Sequence, residues 1–128
     1  MRVASERWTL PVGITAPAMA RSAASLMVKG LSPDLHSDFL LLVSELVTNS
    51  IRHAGSEPTD SIDLVVNIDE SRARVEVHDP GPGFIVALRE THPKQRSGWG
   101  FFLVEKVAQR WGVERQGESM VVWFEIDL

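Results

Sequence analysis

The stretch from Ser32 to Ala54 constrains what this chain can fold into more than any other part of it. Ser32 offers a side-chain oxygen for an N-cap, Pro33 has the fixed φ of a first helical residue, Asp34 is an acid in the first turn, and Gly55 follows as a stop. Between these signals Leu35, Phe39, Leu42, Val43, Leu46, Val47 and Ile51 recur at helical spacing and form one apolar stripe. Strand side chains repeat every second residue, so this pattern predicts a long amphipathic helix. Its stripe must be covered by a sheet or by another helix.

The rest of the chain supplies that cover. Arg7 to Val12 mixes aromatic, β-branched and aliphatic residues and predicts a short strand. Pro17 opens a first helix over Ala18 to Lys29, with Gly30 at its C′ position. Ser61 to Ile68 and Ala73 to His78 predict a hairpin about the polar turn Asp69 to Arg72. The pattern then breaks at Asp79-Pro80-Gly81-Pro82-Gly83, and Phe84 to Ser97 loses periodicity and gathers charge, which predicts a mobile lid. Phe101, Val104, Val107, Ala108 and Trp111 predict a third helix ended by Gly112, and Val113 to Gln116 with Met120 to Leu128 predict a closing hairpin. The order β-α-α-β-β-lid-α-β-β predicts an α+β fold, a two-layer α/β sandwich with one mixed or antiparallel sheet covered on one face by about three helices. The length of 128 residues suits a single domain over 1–128.

Composition narrows the function. The net charge is −4 and the 13 basic residues are scattered, which argues against direct nucleic-acid or anionic-membrane binding. With no cysteine there is no disulfide, iron–sulfur cluster or Cys-ligated zinc, and a cytoplasmic protein is expected. No apolar run approaches the roughly 20 residues that span a bilayer.

Chemistry concentrates in three stretches. On the long helix Glu45, Asn49 and Arg52 fall within an arc of roughly 60° at about 100° per residue. They are either the polar side of an amphipathic helix or a nucleotide site, in which a carboxylate accepts a proton, an amide oxygen ligates Mg²⁺ and a guanidinium meets phosphate. His53, on the last turn, reads as a C-terminal helix partner. Asp79 with Gly81 and Gly83 is either a turn leaving a strand or an acceptor for an adenine amino group with close backbone approach. Arg96, Gly98 and Gly100 stand where a loop meets a helix N-terminus, a natural anion site and equally a natural hinge. Walker A, dinucleotide, zinc-protease and nucleophile-elbow patterns are absent.

Taken in order, Glu45-x-x-x-Asn49-x-x-Arg52-His53-Ala54, Asp79-x-Gly81-x-Gly83 and Arg96-Ser97-Gly98-Trp99-Gly100-Phe101-Phe102-Leu103 resemble the N, G1 and G2 boxes of the gyrase, heat-shock chaperone, histidine kinase and mismatch-repair ATPases, the Bergerat or GHKL superfamily. Within it, the phrase from Ser44 to Gly55 and the ending Val122-Trp123-Phe124-Glu125-Ile126 are most similar to the anti-sigma-factor serine/threonine kinases. The resemblance implies that Asn49 holds Mg²⁺ and that Glu45 is the general base towards a serine or threonine of a partner protein. It also implies that Asp79 binds the adenine of ATP, that Gly81, Gly83, Gly98 and Gly100 shape the pocket, and that Arg96 reaches the terminal phosphates. Arg52 matches a phosphate-side basic position more loosely. The implied partners are a sigma factor and an anti-anti-sigma protein of STAS type, with a homodimer left open. The alternative is a switch that binds partners according to ATP or ADP and transfers nothing. Trp99 stands where the family commonly has a smaller or aliphatic residue, and the region ahead of the long helix looks compressed.

Overall fold

A computed structural model describes residues 4–53, 61–79, 104, 106–117 and 119–128 of the chain. The elements are β1 (Ala4–Pro11), α1 (Ala16–Ser25), α2 (Pro33–His53), β2 (Ser61–Ile68), β3 (Arg72–Asp79), β4 (Arg110–Gln116) and β5 (Ser119–Asp127). The strands form one 5-stranded sheet in the order β1-β2-β3-β5-β4, and every pairing is antiparallel. Of the two sheet types the sequence left open, this is the antiparallel one.

Local chemistry accounts for the elements. The α2 start is as expected, with the Leu35 N–H donating to Ser32 Oγ at 3.3 Å and the His36 N–H to the Ser32 carbonyl at 2.8 Å. The β2–β3 turn is held by Asp69, whose Oδ1 accepts from the N–H groups of Ser71 and Arg72 and from the Ser71 hydroxyl. Those bonds, the Ser71 backbone first, hold the Asp69 carboxyl below its ordinary range. The β4–β5 turn passes through Gly117, whose φ of 61° suits glycine.

Several boundaries differ from the sequence expectation, β1 among them, which runs from Ala4 to Pro11 rather than from Arg7 to Val12, and two have clear causes. The first helix ends at Ser25 rather than near Gly30, because Leu26 and Met27 bond back to the carbonyls of Ala23 and Ala24 in a tight turn that sends Val28 into the core. The third helix does not reach Trp111. Val104, Lys106 and Val107 are helical, but Arg110 already pairs with Glu125 of β5, and Trp111 and Gly112 are strand residues. Gly112 is needed there for space: a Cβ on it would lie 2.9 Å from Cζ2 of Trp123, the residue directly opposite.

The sheet has two unlike faces. Leu10, Ile62, Leu64, Val66, Ala73, Val75, Val77, Val122, Phe124 and Ile126 join the buried residues of α1 and α2 in one core. Ala16, Ala20 and Ala24, all buried, let α1 lie close on α2, and the Phe39 and Phe124 rings meet edge to face at 6.0 Å. The opposite face carries charge in pairs. Asp63 accepts from Arg7 and Thr9. Glu125, only 7% exposed, accepts from Arg74 and Arg110, and the Arg74 guanidinium lies 4.2 Å from the centre of the Trp123 ring. The Arg110 hydrogen bond holds the Glu125 carboxyl below its ordinary range. At Asp63 burial pushes upward, but the bonds from Arg7 and Thr9 outweigh it and the net direction is also down.

Candidate functional site

One end of the inner sheet face carries a buried carboxylate, and α2 packs against it. Asp79 is the last residue of β3 and is 2% exposed; its register partner is the buried Met120. Strand alternation turns Asp79 to the same side as Ala73, Val75 and Val77, towards the helices. A carboxylate in that position needs donors. One of them is Ser50 of α2, whose hydroxyl donates to Asp79 Oδ2 at 3.1 Å while itself fully buried.

One residue before Ser50, Asn49 is 3% exposed and its Nδ2 has no hydrogen-bond partner among the described residues. A buried amide nitrogen without a partner is costly, and such groups mark places that a ligand completes. Glu45, one helical turn earlier, is half-buried. The Arg21 guanidinium reaches from α1 to the Ser44 hydroxyl at 2.9 Å, linking the helices beside Glu45. Glu45, Asn49, Ser50 and Asp79 therefore follow one another along α2 and onto the end of β3. A carboxylate, an amide able to ligate or donate, and a second carboxylate held by Ser50 stand in one row.

Arg52 lies in the last turn of α2, but its side chain and that of His53 lie outside the described residues. Gly81, Gly83, Arg96, Gly98 and Gly100 also lie outside them, as does the segment read as a lid. Among the described residues no group of three or more His, Cys, Asp or Glu side chains is placed to hold a metal ion. The Asn49 amide oxygen is a ligand type that Mg²⁺ accepts, and the ion would need further oxygens from a nucleotide and water.

Sequence reasoning did not single out Ser50. The signal was available: at about 100° per residue Ser50 falls roughly 20° from Phe39, in the middle of the apolar stripe of α2. A hydroxyl there must find a partner across the core. A separate cleft of about 530 Å³, lined by Ala4, Glu6, Leu26, Met27, Lys29, Gly30 and Ile68, lies at the other end of the sheet, because Ile68 pairs with Ala73 while Asp79 follows the Asp63–His78 pair. It plays no part in the row described above. No helix among the described residues is long and apolar enough to cross a membrane.

Comparison with known proteins shows the family and the fold. Residues 13–126 match the histidine kinase-like ATPase domain family. An anti-sigma F factor of Clostridium botulinum is 32% identical over 112 residues, covering 80% of this chain and 78% of the relative. An anti-sigma F factor of Pasteuria penetrans is 30% identical over 99 residues, covering 69% of this chain and 66% of the relative. Among solved structures, the RsbU and RsbW domains of a Mycobacterium tuberculosis protein superpose with a TM-score of 0.74 at 16% identity, over 96% of this chain and 32% of that one. The SiaB–SiaC complex of Pseudomonas aeruginosa gives 0.65 at 8% identity, over 96% of this chain and 89% of that one. At those identities the two structures speak to the fold, which is the one the sequence predicted. The matched part thus spans about two thirds of the Pasteuria relative and about a third of the mycobacterial chain. The chain belongs to the histidine kinase-like ATPase domain family and is related within it to the anti-sigma F factors.

Proposed function

We propose that this protein binds Mg·ATP, transfers the γ-phosphate to a serine or threonine hydroxyl of an anti-anti-sigma protein of STAS type, and sequesters a sigma factor. The observation that carries this reading is the row formed by half-buried Glu45, Asn49 with its unpartnered amide nitrogen, and buried Asp79. The relatives named anti-sigma F factor support the regulatory role.

Each side chain has a task suited to its chemistry. Asp79 accepts a hydrogen bond from the adenine amino group, which guanine replaces with a carbonyl oxygen, so adenine is favoured. The Asn49 side chain holds Mg²⁺ through its amide oxygen, with Arg52 and Arg96 on the phosphate side. Held there, Mg²⁺ would supply charge neutralisation to the phosphates, and Asn49 would keep it in place while Arg52 and Arg96 would meet the phosphate oxygens. Glu45 orients the partner's hydroxyl and takes its proton as the oxygen attacks phosphorus, and ADP leaves. Gly81, Gly83, Gly98 and Gly100 let backbone approach base and phosphates.

The test is transfer of radiolabelled phosphate from ATP to candidate STAS-type partners, with sigma-factor binding followed in parallel. Labelled partner is the expected result. Nucleotide-dependent binding of a sigma factor with no transfer to any such partner would leave the non-catalytic switch as the function.

A further inference from the structure

We infer that Ser50 is a positioning residue that sets nucleotide specificity, by fixing the Asp79 carboxylate in the orientation that reads the adenine amino group. This rests on the reading of Asp79 as the adenine acceptor. Ser50 is fully buried and lies on the same stripe of α2 as Phe39, Val43 and Leu46, where an alanine or leucine would serve the helix better. A serine inside a helix commonly returns its hydroxyl to the carbonyl four residues earlier. Here the hydroxyl instead crosses to another element and donates to Asp79 Oδ2 at 3.1 Å. The bond joins α2 to the last residue of β3, the point where the chain leaves the sheet.

The effect of such a bond is directional. The χ2 torsion of an aspartate is broad, so an aspartate held only through Cβ presents its oxygens over a range of angles. A donor on one oxygen fixes the carboxylate plane, and the strength of a hydrogen bond to a flat heterocycle depends on that plane. Ser50 lies in α2 beside Asn49, so the helix that carries the proposed magnesium ligand also sets the angle of the base acceptor. Base recognition and phosphate positioning are then mechanically one unit.

The experiment compares Mg·ATP with the triphosphate of purine riboside, which lacks the 6-amino group, by calorimetry on the full chain. Wild type should prefer ATP by about 10- to 100-fold, the range of one hydrogen bond to a charged group. Ser50→Ala should weaken ATP by about 5- to 10-fold and leave the analogue nearly unchanged, so that the preference shrinks. Ser50→Cys keeps the volume with a poor donor and should act in the same direction, which covers the case in which the alanine variant folds badly. A merely structural serine would weaken both nucleotides alike, and that result, or an unchanged preference, overturns the proposal. The underlying reading is tested separately by Asp79→Asn. If that variant abolishes the preference while Ser50→Ala retains it, only the role of Ser50 falls. If wild type shows no preference at all, the adenine assignment of Asp79 falls, and the role of Ser50 with it.

Discussion

The Ser50 hydroxyl donates to Asp79 Oδ2 at 3.1 Å, and both residues are sealed from solvent. This bond ties the long helix to the end of the central strand, inside the buried layer between helix and sheet. It makes Asp79 more than a residue that ends a strand. Asp79→Asn is expected to weaken adenine nucleotides by about 1.5–3 kcal/mol through loss of a charge-assisted hydrogen bond. Calorimetry with Mg·ATP and Mg·GTP checks this, and an unchanged ATP affinity in the variant would contradict it.

Asn49→Ala should lower both nucleotide affinity and transfer, and the binding defect should narrow as Mg²⁺ is raised. The reason is the amide oxygen of buried Asn49, the type of ligand a hard cation takes, which the substitution removes. Titrations at several Mg²⁺ concentrations test this, and a defect that ignores Mg²⁺ would place Asn49 outside the metal contact.

Acid should unfold the protein through the outer face of its sheet and the β2–β3 turn. The carboxyls of Glu125, Asp63, Asp69 and Glu76 are all held below their ordinary values. At Glu125 the cause is chiefly the Arg110 bond, and at Glu76 the bonds from Arg74 and His78 outweigh burial, which pushes the other way. A lowered native pKa means that the unfolded chain binds more protons. The stabilisation is therefore complete above about pH 4.5 and is lost as pH falls through the native values. Glu125→Gln should cost roughly 1–3 kcal/mol at neutral pH and flatten the acid side of the stability profile, measured by urea unfolding across pH. A constant difference from wild type at every pH would contradict this.

Gly112→Ala should destabilise by roughly 1–3 kcal/mol, because its Cβ would meet the Trp123 ring at 2.9 Å while Arg74 lies over that ring. Thermal melting with near-ultraviolet circular dichroism of the indole reads both the loss and its site. Gly13→Ala, where a Cβ meets nothing within 4 Å, is the matched control and should change little.

Much of this architecture is legible in the sequence because local signals and the tertiary fold agree. Ser32 caps α2 in the expected way, and the β2–β3 hairpin turns on Asp69. The β4 start is not legible: Trp111 fits the helical spacing from Val104 and Val107 and also alternates with Val113 on a strand, and Gly112 looks like a helix stop. What decides for the strand is the pairing of Arg110 with Glu125 and of Gly112 with Trp123, which no local pattern contains. At the site, Glu45, Asn49 and Asp79 are visible by residue type and order. Ser50 stands out only as a hydroxyl in an apolar stripe that needs a partner across the core, and the identity of that partner, Asp79, is set by the tertiary fold.

The central claim is that Glu45 acts as a base on a partner's hydroxyl, and one paired measurement on Glu45→Gln tests it most directly. Phosphate transfer from ATP to a STAS-type partner is followed alongside ATP affinity, with folding checked by melting. ATP affinity should stay within a few-fold of wild type while transfer falls by roughly 10² to 10⁴. Transfer by Glu45→Gln at the wild-type rate would contradict the assignment.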